Sequence, residues 1–291
     1  MAWDVRGKTA LITGATSGIG LEASVALARR GARVVMVGRD PARTESARST
    51  VSERSGSQEV EHLVCDFSSQ AAIRALAEEF QARHDRLDIL LNNAGAVNRR
   101  RTLTGDGIET TFAVNHLGYF LLTNLVTDLL VRSTPARVVT VASIGHRSGT
   151  LDLDDLGFER NYSLMEAYKR SKLCNVLFAN ELARRLKGTG VTSNSLHPGG
   201  VNTNIWSGAP LWAKPIIALF LRRTFISAEQ GASYVVALAA NPDLANVTGA
   251  YFEQDKELPP SPLAQDKELA HRLWNISTTL VDLPAPGCSG A

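Results

Sequence analysis

Thr9-Ala-Leu-Ile-Thr13-Gly14-Ala15-Thr16-Ser17-Gly18-Ile19-Gly20 is the stretch whose reading decides the fold. A short apolar run breaks on glycines and passes directly into residues 21–30, which carry helical amphipathic spacing. Strand, glycine turn and helix follow one another without a linker. Glycine lets the backbone of such a turn approach an anion closely, and the free amides at the helix N-terminus, with its positive dipole end, bind that anion. Gly14, Thr16, Ser17, Gly18, Ile19 and Gly20 are therefore candidate phosphate contacts. The spacing is G-x-x-x-G-x-G and lacks the Gly-Lys-Ser/Thr of a P-loop, which disfavours a nucleoside triphosphate. A plain strand-to-helix turn also uses glycine, so the turn does not stand alone.

Working outward, Arg33-Val-Val-Met-Val37, Val60-Glu-His-Leu-Val-Cys65, Asp88-Ile-Leu-Leu-Asn92, Arg137-Val-Val-Thr-Val-Ala142 and Val191-Thr-Ser-Asn-Ser-Leu196 alternate with helix-length segments, and a last short run lies near Ala250-Tyr-Phe252. With the first run these make seven strands. Their near-continuous apolar character is that of strands covered on both faces, and right-handed crossovers then give an α/β, doubly wound parallel sheet. Ligands of such sheets sit beyond the carboxyl ends of the strands. No repeat or linker divides the chain, so residues 1–283 read as one domain. Residues 204–226 read as a variable cover, and the Pro/Gly-rich end, 284–291, as a disordered tail.

Composition narrows the partners. The chain has 291 residues, 44% hydrophobic and 21% charged, with a net charge of +2 whose two signs are interspersed. No basic stripe proposes nucleic acid. The three cysteines, Cys65, Cys174 and Cys288, are too few and scattered for a disulfide framework or a thiolate zinc site, which fits a reducing compartment. His116 and His197 have no carboxylate or cysteine at ligand spacing, so no metal is expected. Residues 1–8 lack the apolar core of a signal peptide, and Pro215-Ile-Ile-Ala-Leu-Phe-Leu221 is far short of the ~20 residues that span a bilayer, so the expectation is a cytoplasmic protein. The sequons at Asn161, Asn246 and Asn275 then read as chance.

The second strand ends in Val37-Gly38-Arg39-Asp40, where an adenosine ribose would lie. An acid there holds a 2′-hydroxyl, whereas a 2′-phosphate needs a cation. Gly38 stands at the acid position and Arg39 follows, which points to NADP(H) ahead of NAD(H). Two alternatives stay open at Asp40: it supplies the acid, or it caps the helix behind Pro41. Farther on, Tyr168 and Lys172 are spaced four apart in Ala-Tyr-Lys-Arg-Ser-Lys, so a helix sets them on one face. A neighbouring ammonium favours phenolate, so Lys172 is expected to lower the Tyr168 pKa and make it a proton donor to a carbonyl oxygen. Ser143, at the end of the fifth strand, would stabilise the charge developing on that oxygen. Trp206, Trp212 and the aliphatics around Pro210 and Pro215 suggest that 204–226 forms an apolar lid, with dimer packing and a membrane-surface contact beside Arg222-Arg223 as the alternatives.

Taken together, the glycine turn, Asn92-Asn-Ala-Gly95, Asn115, Ser143, Tyr168-x-x-x-Lys172 and Pro198-Gly-Gly-Val-Asn-Thr203 resemble the single-domain short-chain dehydrogenase/reductase family. Ser171-Lys-Leu-Cys-Asn175, His197-Pro-Gly and Pro260-Ser-Pro-Leu-Ala-Gln-Asp-Lys-Glu-Leu-Ala270 look like its retinol-dehydrogenase-like subgroup. That resemblance implies a Rossmann-like fold and hydride transfer between NADP(H) and an apolar aldehyde, ketone or alcohol. It also implies cofactor contacts from Asp66, Phe67, Asn92, Ala94, Gly95, Tyr168, Lys172, Pro198, Gly199, Val201 and Thr203. Under it, Asn115 holds a water that links Lys172 to solvent. Members of the subgroup often carry an N-terminal membrane segment, which is not expected here. A catalytically silent NADP(H)-binding protein and a sugar-nucleotide epimerase use the same fold; the intact Ser143, Tyr168 and Lys172 speak against the first. The second normally has a larger C-terminal substrate domain, for which the 88 residues after Thr203 leave little room.

Overall fold

Leu11, Leu90 and Val138 enter one apolar layer, while Ala10, Ile12, Ile89, Leu91 and Val139 enter the other. Successive strand residues thus bury on opposite faces of one sheet, which is why the runs have no polar side. The computed structural model describes residues 3–201 and 225–284. Its order begins β1 (Thr9–Thr13), α1 (Gly18–Arg29), β2 (Arg33–Gly38), α2 (Pro41–Ser55), β3 (Val60–Val64), α3 (Gln70–Arg83) and β4 (Ile89–Asn92). Then come α4 (Thr110–Phe112), a π turn (Ala113–Leu117), α5 (Gly118–Leu125), α6 (Thr127–Arg132), β5 (Ala136–Val141), a 3-10 turn (Ile144–Ser148) and α7 (Leu164–Arg185). The remainder is β6 (Val191–His197), β7 (Gly200–Val201), β8 (Phe225–Ile226), α8 (Ala228–Ala240), β9 (Tyr251–Glu253), β10 (Lys256–Glu257) and α9 (Lys267–Leu280).

The sheet runs β10-β9-β6-β5-β4-β1-β2-β3. The expected strands are all there and all parallel to one another. The eighth, β10, is an antiparallel edge paired only with β9. Its exposed residues Lys256 and Glu257 have no apolar period, so the sequence pattern does not reveal it. Strand order reverses between β1 and β4, and the crevice for a ligand opens beyond Thr13 and Asn92. β7 and β8 pair separately and bring together the chain on either side of 202–224. Thr203 and the expected cover up to residue 224 fall there, outside the described residues, and its last two residues form β8; residues 285–291 of the expected tail also lie outside the described residues. Among the described residues, no helix is long and apolar enough to cross a membrane.

Candidate active site

The glycine turn is built against the end of β4. Gly14 has φ +64°, and a Cβ there would stand 2.7 Å from Ala94 Cα; one on Gly20 would stand 2.4 Å from Gly14 O. Only glycine permits both the handedness and the approach. Thr13 Oγ1 accepts from the backbone N–H of Asn93 and Ala94 at 2.9 and 3.0 Å, and Asn93 Nδ2 donates to the carbonyls of Thr13 and Gly14 at 3.0 and 3.1 Å. Tyr119 Oη donates to the Ala94 carbonyl. Thr13, Asn93 and Tyr119 therefore shape the crevice, although sequence reasoning passed over them. The doubled Asn92-Asn93 was the available signal. Asn92 itself turns inward, with Nδ2 on Thr123 Oγ1 at 3.1 Å, so its side chain does not face the crevice.

Ser17 is exposed at the N-cap of α1, and its hydroxyl makes no capping bond, leaving it and the first-turn amides free for an anion. Ile19 is buried beneath them. At the end of β2, a Cβ on Gly38 would lie 2.3 Å from Thr44 Oγ1 and 2.4 Å from Thr16 Cγ2, so an acid at that position would have to displace both threonine side chains. Asp40 is the N-cap of α2, accepting from Arg43 N at 2.8 Å, which realises the capping alternative. Arg39 is exposed beside it. Asp66 holds the next turn through Ser68, accepting from its N–H and hydroxyl at 2.9 and 2.8 Å, whereas the Phe67 ring packs into the core against Gly118.

On the other side of the crevice, α7 carries the candidate reacting groups Tyr168 and Lys172. Its long amphipathic run begins after Ser163 and ends in Arg184 and Arg185, cations suited to a helix C-terminus. A methyl group on Gly145 would stand 3.6 Å from Ser143 Oγ and 3.7 Å from Tyr168 Cε1, so the serine hydroxyl and the tyrosine ring share one small space. Ser143 also caps the 3-10 turn, accepting from Gly145 N at 3.2 Å; the capping and the catalytic readings coexist. Lys172 is buried, and its Nζ donates to the Val141 carbonyl at 3.0 Å.

One expectation changes here. Burial raises the Tyr168 phenol above its ordinary value, hydrogen bonding from Ser143 pulls it partly back, and Lys172, with Nζ 5.7 Å from the ring centroid, does not lower it. Burial instead pushes Lys172 down to about 8, because desolvation opposes the ammonium. Asn115 is held by its side chain: Oδ1 accepts from Ala96 N at 2.7 Å, and Nδ2 donates to Ala96 O and Ser171 Oγ at 3.0 Å each. Ser171 Oγ in turn donates to the Tyr168 carbonyl at 2.7 Å. Asn115 thus ties the segment after β4 to the turn of α7 that carries Tyr168. The local π turn, a frequent companion of functional sites, sets it there.

His197, at the end of β6, is held down at about 4 by desolvation, and His116 at about 3; the latter bonds Ser277 Oγ at 2.9 Å among aromatic rings. Pro198 is buried, and Gly199 follows with φ +100°, where a side chain would meet Ile226 Cδ1 at 2.7 Å.

Residues 8–213 match the short chain dehydrogenase family. The chain belongs to that family. It is 42% identical to retinol dehydrogenase 14 of Mus musculus over 96% of this chain and 87% of the relative. A structure of a putative uncharacterized protein from Mycobacterium paratuberculosis aligns with a TM-score of 0.79 and 32% identity, covering 98% of this chain and 97% of the other. A Pseudomonas aeruginosa RhlG/NADP complex aligns at 0.69 and 25% identity over 92% and 98%. As a short-chain dehydrogenase similar to retinol dehydrogenases, the protein is an oxidoreductase acting between alcohol and carbonyl groups.

Proposed function

We propose that this dehydrogenase uses NADP(H) to interconvert an apolar aldehyde or ketone with its alcohol, and that Tyr168 is the general acid and base. The observation that carries the reading is the shared space of Ser143 Oγ and the Tyr168 ring beside buried Lys172, across the crevice from the glycine turn. Ser17, the first amides of α1 and Arg39 fit a dinucleotide bearing a 2′-phosphate. Gly38, where a side chain would have to displace two threonines, leaves no carboxylate to compete with that phosphate. When bound, the nicotinamide supplies or accepts the hydride.

The protein's own groups handle the proton. With its pKa raised, Tyr168 is protonated near neutrality, as an acid for carbonyl reduction must be. Ser143 donates to the same substrate oxygen and stabilises the charge forming on it. Lys172, anchored on Val141, provides a cation that desolvation leaves close to its titration point near neutral pH. Exposed Ile144 and Met165 flank Ser143 and Tyr168 and give the mouth an apolar rim, which supports a hydrophobic substrate, as does the similarity to retinol dehydrogenases. The RhlG complex supports NADP. Two buried free thiols, Cys65 and Cys174, both pushed up to about 12 by burial, agree with a cytoplasmic location.

Screening the purified protein for NADPH oxidation against aldehydes, ketosteroids, retinal and quinones tests this reading. Turnover concentrated among the apolar carbonyls supports it. Tight NADPH binding with no turnover anywhere would replace it with the silent cofactor-binding alternative.

A further inference from the structure

His146 lies three residues past Ser143 on the 3-10 turn, and it is fully buried. Both ring nitrogens are engaged, by groups of opposite character. Nδ1 stands 2.8 Å from the Ser143 carbonyl oxygen, which can only accept. Nε2 stands 3.2 Å from the Ser261 backbone N–H, which can only donate. The tautomer follows from those partners: the proton is on Nδ1 and the lone pair on Nε2. The ring lies against Tyr251, with centroids 4.6 Å apart. Burial lowers its pKa, which keeps the imidazole neutral.

The bridge has a partner alongside. Arg147 pairs with Glu253 at 2.7 Å and donates to the Pro259 carbonyl at 3.0 Å. Two consecutive residues of the active-site turn are therefore tied to the segment after β10, and Ser261 is itself buried there as the cap of the turn Pro262–Gln265. A serine hydroxyl has one heavy-atom torsion, held here by the bond from Gly145 N at 3.2 Å, so its place is set by that rotamer and by the backbone that carries it. The Ser143 carbonyl accepts from both the His146 ring and the His146 backbone N–H at 3.1 Å, and these bonds fix that backbone.

We propose that His146 is a positioning residue that aims the Ser143 hydroxyl by holding the Ser143 carbonyl, and that the 258–265 segment is thereby part of the active-site support. This rests on the function proposed above. A residue that only filled space would not need a donor on one side and an acceptor on the other.

His146→Asn and His146→Gln separate the two contacts. The asparagine amide nitrogen reaches the Nδ1 place and keeps the bond to Ser143; the glutamine oxygen reaches the Nε2 place and keeps only the bond to Ser261. The expected result is kcat within about threefold of the parent for His146→Asn and about tenfold or more lower for His146→Gln, with the NADPH Kd of both within about twofold, since small misalignments of a reacting group cost rate and not cofactor affinity. In a Ser143→Ala background, His146→Gln should cost little further, because the residue acts through that hydroxyl. Equal kcat in the two variants, or a Gln effect undiminished in the Ser143→Ala background, would overturn the proposal. If the parent reduces none of the carbonyls, the functional reading fails and the positioning claim is read by hydrogen exchange at the amides of Gly145 and His146, which bond Ser143. Faster exchange in His146→Gln than in His146→Asn supports it, and equal exchange overturns it.

Discussion

The two sides of the crevice solve opposite problems. On the β1–β3 side, function depends on side chains that are missing: Gly14, Gly20 and Gly38 each lie where a Cβ would collide with backbone or threonine atoms. On the β4–β6 side it depends on polar side chains held out of water, with Ser143, Lys172 and Asn115 all buried. The first side costs conformational entropy, because glycine has more freedom to lose on folding; the second costs desolvation, and so shifts pKa values. Damage on the first side should appear in cofactor binding, and damage on the second in turnover.

The largest expected effect breaks the second side alone. Tyr168→Phe should lower kcat at least the ~10²-fold of a lost general acid while NADPH affinity stays near the parent's. Steady-state rates within a few fold would remove Tyr168 from the proton path. Next comes the cofactor side. Arg39→Ala should raise KM for NADPH by an amount corresponding to ~1.5–3 kcal/mol, the usual weight of a hydrogen bond to a charged group, with little change for NADH. A parent that already prefers NADH would show that the ribose end is read wrongly.

Gly20→Ala sharpens the steric half. Its Cβ would meet Asn93 Nδ2 at 2.6 Å and Gly14 O at 2.4 Å, so ~1–3 kcal/mol of strain should appear as weaker NADPH binding and a lower midpoint in urea. An unchanged Kd by fluorescence titration would mean that the turn can relax.

The smallest effect has the opposite sign. Lys172→Met removes a buried ammonium and should raise Tm by roughly 2–4 °C for each kcal/mol of desolvation relieved, even as turnover falls. The parent's Lys172 has a folded pKa near 8, below its unfolded value of 10.5. The unfolded chain therefore binds the extra proton in that window, and parent stability rises with pH across it. The gain in the variant should thus be greatest below pH 8 and fade toward pH 10.5, which calorimetry over that range can follow. A gain that does not change with pH would assign the effect to packing.

Much of this was legible in the residues because it is local. Thr9 to Gly20 announces strand, turn and helix through composition; Gly38 marks the end of the second strand; and a spacing of four puts Tyr168 and Lys172 on one helical face whatever surrounds them. What depends on neighbours distant in the chain was not legible. Asn93 reaches Gly14 across 79 positions, and Thr13 reaches Asn93 and Ala94 across 80 and 81. The pKa order of Tyr168 and Lys172 came out against the pairwise argument, since spacing predicts a charge interaction but cannot predict burial.

The sequence by itself therefore determined the α/β architecture, the run of parallel strands, the glycine turn at the end of the first and the shared helical face of Tyr168 and Lys172, because periodicity and short-range spacing are properties of the chain. Only the tertiary structure decided that β10 closes the sheet edge, that the Asn115 amide braces α7, and that His146, bonded to the Ser143 carbonyl, reaches Ser261 across 115 positions. Hydrogen-bond partners and desolvation are set by what the folded chain brings near, and no window of sequence contains them.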